Sequence, residues 1–375
     1  MQAFVYCFTS AILLVAGAPI THAAQPIVIA SGHGERTPKQ PQAAIDPNGN
    51  VHVVFGVGNT VQYTGSTDGG STFGKSAKAF EVPNMSLGMR RGPRIVGTKD
   101  AIVVTAVGGK QGKGKDGDVL AWRSMNAGKT WQGPVRVNDK ADSAREGLHA
   151  MASGEDGSIW CVWLDLRDKK SEIYAARSAD GGETWEPNIR VYQSPDGSVC
   201  QCCHPSVIVK GTTLVIMFRN SLEGNRDMYV MSSADNGKSF TTAQKLGHGT
   251  WPLDACPMDG GMLAALSDGT IETAWRRDDK VYLATNAATP EVLLGRGQQP
   301  WIAGTSKGTV IVWTTGREGD LMVRKPGSQQ PQKLASKARD PIVVTSSDAT
   351  GAAICCWESK NGDNVQITVQ RIDVQ

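Results

Sequence analysis

Beyond its first two dozen residues, this chain of 375 residues has no run of the ~18 apolar residues that a membrane-crossing helix needs. It lacks a charge of one sign as well. The net charge of +3 is scattered, which leaves no basic face for nucleic acid or for an anionic membrane surface. No lysine or arginine precedes the apolar run Phe4 to Ala18, and no tyrosine follows Tyr282. What is abundant is glycine, 43 residues, as a fold with many tight turns requires. The apolar run, followed by Pro19 and the small-residue stretch Thr21–Ala24, reads as an export signal over residues 1–24, cleaved after Ala23 or Ala24. The missing basic start is its one departure from pattern. A single domain, residues 25–375, is then expected in the periplasm or outside the cell.

Four segments share one pattern: Ser66–Phe73 (STDGGSTF), Ser124–Trp131 (SMNAGKTW), Ser178–Trp185 (SADGGETW) and Ser233–Phe240 (SADNGKSF). Their first serines lie 58, 54 and 55 residues apart, a periodicity that marks a repeat architecture. An Asp or Asn that caps its own turn, followed by Gly where positive φ is needed, builds a compact loop. The aromatic that follows can pin the loop to the neighbouring sheet. A strand-like run stands at a fixed place ahead of each motif: Val51–Phe55, Ala101–Thr105, Ile159–Trp163 and Leu214–Phe218. The same phrase returns without the motif at Thr270–Trp275, Thr309–Trp313 and Ala353–Trp357.

The four segments resemble the Asp box of sialidases and related β-propellers, S-x-D-x-G-x-T-W. That resemblance implies an all-β propeller of four-stranded blades, with the boxes as structural turns on the face away from the active site. Seven modules favour seven blades; sialidases have six, which is the alternative. The last module lacks a fourth strand, and Pro26–Ala30 could supply it, closing the ring and removing both sheet edges.

In a propeller the first strand of each blade lines the central channel, so residues at its entrance converge on the axis. Aligned there, module two begins Arg90-Arg91-Gly92-Pro93-Arg94, module three Arg145-Glu146-Gly147-Leu148-His149, module four Cys200-Gln201-Cys202-Cys203-His204, and module five Asp254 to Gly261. Modules one, six and seven carry less chemistry there: Gln40-Pro41-Gln42, Gln299-Pro300-Trp301 and Arg339-Asp340-Pro341.

Export removes Cys7 and leaves seven cysteines, so at least one thiol is free, liganded or paired between chains. Cys161, Cys355 and Cys356 lie in apolar strands and read as core. Three readings of the others stay open. Cys202, Cys203, His204 and Cys256, with His149 or Met258 nearby, offer soft ligands for copper or zinc. A disulfide could instead tie the Cys200–Cys203 loop to Cys256. A thiol beside His204 or His149 could be reactive.

The sialidase resemblance implies an arginine set for an anionic sugar. Gly92–Val96 is similar to the family's first arginine motif and makes Arg94 a candidate, with Arg91 beside it; Arg219 and Arg276 follow second strands at equivalent places. Glu146 and Asp259 are the candidate proton-handling groups. The family's late-chain tyrosine nucleophile has no counterpart, so hydrolysis is left open beside binding, metal holding and a scaffold role. The expected ligand is a glycan or another small anion.

Overall fold

The computed structural model describes Met1 and residues 24–285, 287–346 and 352–374. The export-signal expectation for residues 1–24 therefore falls almost wholly outside the described residues. The fold is all-β, with one three-residue 3-10 turn among the described residues. Five sheets have four antiparallel strands each, joined in sequence order. Their first strands are Pro38–Ile45, Arg94–Gly97, His149–Ser153, Ser206–Lys210 and Met262–Ala265.

The remaining strands form one seven-stranded sheet in the order Ile27–Gly32, Asn364–Asp373, Ala352–Asn361, Gln332–Thr345, Gly319–Arg324, Gly308–Thr314, Gln298–Thr305. The architecture is a β-propeller. Five separate four-stranded blades stand where seven, or six, are expected, because the long strand Gln332–Thr345 welds the last modules into a continuous sheet. The N-terminal strand Ile27–Gly32 pairs antiparallel with Asn364–Asp373, Ile27 opposite Val369.

Burial of both sheet faces holds this assembly together. The second strands, such as Ile159–Asp165 and Ile102–Gly108, are buried on both faces, because each blade is packed between two neighbours. The tryptophans Trp160, Trp163, Trp275 and Trp313 are fully buried between blades. Cys161, Cys355 and Cys356 sit in these cores as small hydrophobes, as their sequence setting implies.

Each Asp box joins the third strand of a blade to the fourth, and its hydrogen bonds repeat four times. In the first, Ser66 Oγ donates to Asp68 Oδ1 (2.7 Å) and accepts from Gly70 N (2.9 Å), while Thr72 N donates to Asp68 Oδ1 (2.9 Å). Ser124/Asn126, Ser178/Asp180 and Ser233/Asp235 make the same set. Gly128 shows why glycine stands in the turn: its φ is +79°, and a Cβ there would lie 2.2 Å from the ring of Tyr63 in the preceding blade. The box thus fastens one blade to the one before it.

Candidate functional site

The innermost strands touch in cyclic order around the axis, the second half of Gln332–Thr345 meeting both Gln298–Thr305 and Pro38–Ile45. Their sides enclose a channel of about 630 Å³, lined by polar as well as apolar side chains. Arg94, His204 and Trp301 line its upper end, and His204 stacks on Trp301 with ring centroids 5.9 Å apart. At the strand entrances, on the face away from the Asp boxes, lies a second cavity of about 450 Å³. Its walls carry Asp259, Asp340 and Glu358 together with Arg276, Arg317 and Arg339.

The backbone at this entrance is unusual. Gln40, Arg90, Met258, Gln299 and Asp340 all have φ between +49° and +65°, a region that non-glycine residues rarely occupy. Three of them precede a proline and sit in β-bulges, where the register slips between Lys39 and Gln42, between Gln298 and Trp301, and between Arg339 and Ile342. The bulge turns backbone N–H groups toward side chains of neighbouring blades. Gln40 N donates to Glu358 Oε1 (2.7 Å), Gln299 N to Asp259 Oδ2 (2.6 Å), and Asp340 N to Gln299 Oε1 (2.8 Å). Arg90, buried beneath them, donates to the carbonyls of Pro341 (3.1 Å) and Gln299 (2.9 Å) and lies 3.5 Å from Asp340 Oδ1. Backbone strain and hydrogen bonding together hold the carboxyl groups in place.

Electrostatics separate the roles of these acids. Glu358 is 1% exposed and pushed up to about 7, chiefly by burial and then by the neighbouring Asp340 charge; Arg339, which donates to its Oε2 at 2.7 Å, pulls the other way. Asp259 is also raised by burial, and its Oδ1 has no hydrogen-bond partner. Arg276 lies 4.0 Å from Asp259 Oδ2, donates to Gln298 Oε1 (3.2 Å) and rests over Trp251. Arg317 stands exposed on the lip, without an ion pair among the described residues. A carboxyl group that exchanges its proton near neutrality, facing free and half-free guanidinium groups, suits an acidic ligand that must also be protonated or deprotonated.

Of the candidate site residues singled out from the sequence, Asp259, Arg276 and Met258 line this cavity. The others lie elsewhere. Arg94 is buried and donates to the carbonyls of His149, Pro93 and Arg90; burial, then repulsion from Arg90, brings it down to about 9. Arg219 is likewise buried among the carbonyls of Asp259, Arg226 and Arg276. Both orient backbone at the entrance rather than facing its cavity. Arg91 and Glu146 face each other at 3.9 Å outside the cavity wall, and burial raises Glu146.

The cysteine–histidine grouping is redrawn. The sulfurs of Cys200, Cys202 and Cys203 lie together, all buried. His204 turns away into the channel, and His149 bonds Thr105 Oγ1 through Nε2 at 2.9 Å. Burial, with nearby arginines, drives His204 well below its ordinary value and His149 down to about 3, so both are neutral. Cys256 is exposed, and no disulfide is present among the described residues; the expected staple to the Cys200–Cys203 loop is not formed. The chain folds so that Cys256 shares a surface cavity with Cys202 alone of the three.

The residues missed in the sequence belong to the modules that look poorest in chemistry. Gln40, Gln299 and Asp340 each precede proline at the same module position, a signal of a shared bulge. Glu358 follows Trp357 at the place where Arg276 follows Trp275.

A family model described as a BNR repeat-like domain matches residues 97–351. No curated protein sequence matches the chain. Among solved structures, a Penicillium chrysogenum α-L-arabinanase complexed with arabinobiose aligns at 14% identity with a TM-score of 0.57, covering 94% of this chain and 99% of its own. A polysaccharide lyase described as an ulvan lyase of a new family aligns at 11% identity with a TM-score of 0.58, covering 93% and 96%. A Hadza microbial sialidase aligns at 14% identity with a TM-score of 0.52, covering 90% of this chain and 66% of its own. At these identities the likeness is one of fold.

Proposed function

We propose, from the premise that this chain belongs to the BNR repeat-like domain family, that its axial entrance cavity binds an acidic glycan and that Glu358 exchanges a proton with the bound sugar. The observation that carries the reading is the set of facing charges. Arg276, Arg317 and Arg339 meet three buried or half-buried carboxyl groups in one concave site on the axis, one of them ionising near pH 7. The guanidinium groups suit a carboxylate or sulfate on the sugar. Glu358 suits a general acid or base. Sugar-processing enzymes among the fold relatives support the substrate class.

No tyrosine lines the cavity. Tyr282 stacks on Trp275 at a blade interface, beneath the Arg277 guanidinium. The chemistry favoured here is therefore protonation of a leaving group, or proton abstraction, without a tyrosyl intermediate. We further take the seven-stranded sheet as two blades sharing Gln332–Thr345, seven in all, with Ile27–Gly32 as the outer strand of the last. In support, residues 332–338 of the shared strand pair on one side, and residues 338–345 on the other. Export of residues 25–375 as one domain completes the reading.

The test is a binding and cleavage screen of the full mature chain against sialosides, uronate-containing oligosaccharides and neutral arabino-oligosaccharides. An acidic sugar should bind, about tenfold or more weaker with Arg317→Ala or Arg276→Ala, from the loss of ~1.4 kcal/mol or more per charge-assisted contact. Glu358→Gln should retain binding and lose turnover. Binding indifferent to both arginine variants, or restricted to neutral sugars, would overturn the assignment.

A further inference from the structure

A second site adjoins this cavity and shares Met258 with its wall. The turn Gln201–Cys203 folds the chain so that Cys200, Cys202 and Cys203 face inward while Gln201 points to solvent. Cys200 Sγ lies 3.6 Å from Cys202 Sγ and 3.5 Å from Cys203 Sγ, and all three sulfurs fall within 4.8 Å of one another. Sulfurs sharing one ion at metal–sulfur bonds of ~2.3 Å would be separated by roughly 3.8–4.0 Å. The trio therefore needs only small shifts to enclose an ion. Three is also a number that no internal disulfide pairing can use up.

The surroundings select the ion. Met258 is the one partly buried apolar side chain packed on the three cysteines among the described residues, which adds a thioether. Neither neighbouring histidine belongs to the group. A donor set of thiolates and a thioether, without imidazole or carboxylate, is the softest that protein side chains provide. Arg219 brings a compensating positive charge. Its guanidinium is buried, hydrogen-bonded only to carbonyls, and within electrostatic reach of Cys200 and Cys203. Access exists too. Cys202 lines a surface cavity of about 370 Å³ that also carries the exposed Cys256, so an ion can reach the trio through a thiol at the mouth.

We propose that Cys200, Cys202 and Cys203 bind one Cu(I) ion as thiolates, with Met258 as a fourth ligand and Cys256 as the residue that first captures the ion. Binding releases the thiol protons to solvent and involves no change of oxidation state, since the ion arrives as Cu(I).

The experiment is an anaerobic titration of the reduced full mature chain with Cu(I) presented by a coloured Cu(I) chelator, followed by X-ray absorption at the copper edge. One Cu(I) per chain is expected, ringed by three or four sulfurs. Cys200→Ser and Cys203→Ser should weaken it by about 100-fold, and Met258→Leu by about tenfold, in line with the loss of a ligand or its support. Cys256→Ser should slow the uptake. Circular dichroism establishes which variants fold; should the cysteine variants not fold, the sulfur count at copper in the parent protein decides. No uptake by the parent, a shell of nitrogen and oxygen, unchanged affinity in a folded Cys200→Ser chain, or displacement of Cu(I) by equimolar Zn(II) would each overturn the proposal.

Discussion

Glu358 ionises near pH 7 because its carboxyl group is buried in the cavity wall beside the bulge of Gln40, and the single guanidinium of Arg339 does not offset the loss of water. The consequence for stability has a definite sign. A carboxyl raised from 4.5 to about 7 binds its proton more tightly in the folded chain. Its contribution is complete below pH 4.5 and is lost as pH rises through about 7. At ~1.4 kcal/mol per pKa unit, the loss is on the order of 3 kcal/mol. Urea-unfolding midpoints measured from pH 4 to pH 8 should fall across this window for the parent chain and stay level there for Glu358→Gln. A parallel fall in both would assign the effect to other groups.

The Asp box shows how a short phrase of sequence becomes an element. Ser178 is fully buried; its hydroxyl donates to Asp180 at 2.8 Å and accepts from Gly182 N at 2.9 Å. Ser178→Ala leaves that amide without a partner, while Asp180 Oδ1 keeps the bond from Thr184 N, at a cost of about 1–3 kcal/mol. A drop of that size in the unfolding free energy, with the far-ultraviolet spectrum unchanged, is the expected result; no drop would mean that solvent replaces the hydroxyl. The boxes are legible in the sequence because every partner lies within four residues. The entrance bulges are not. Their N–H groups find acceptors 318 and 40 residues away, at Glu358 and Asp259, and only X-Pro at a repeated position hints at them.

At the scale of the whole molecule, one strand pairing joins segments more than 330 residues apart. Ile27–Gly32 covers the edge of Asn364–Asp373, which would otherwise present a row of unpaired backbone groups. A chain that begins at His33 should therefore melt at a lower temperature and associate through that edge. An unchanged melting temperature and a monomeric profile in light scattering would show the strand to be dispensable.

The sequence by itself determined the class of fold, the repeat length, the structural role of the Asp boxes and the burial of Cys161, Cys355 and Cys356. The repeat length and the buried cysteines follow from local patterns, namely strand-like runs, turn chemistry and spacing, while the propeller and the role of the boxes follow from the Asp-box resemblance those patterns carry. Tertiary structure alone decided which residues share a site. It drew Cys200 into the sulfur trio and left Cys256 outside, turned His204 into the channel, and tied Arg94 and Arg219 to carbonyls. It also built the entrance cavity from Asp259 and Arg276 with Arg339, Asp340 and Glu358 of the modules whose sequences look plainest. The reason is physical. A propeller brings equivalent positions to one axis, but the direction of each side chain there depends on a one-residue bulge, and a bulge is fixed by partners in neighbouring blades rather than by the residues beside it.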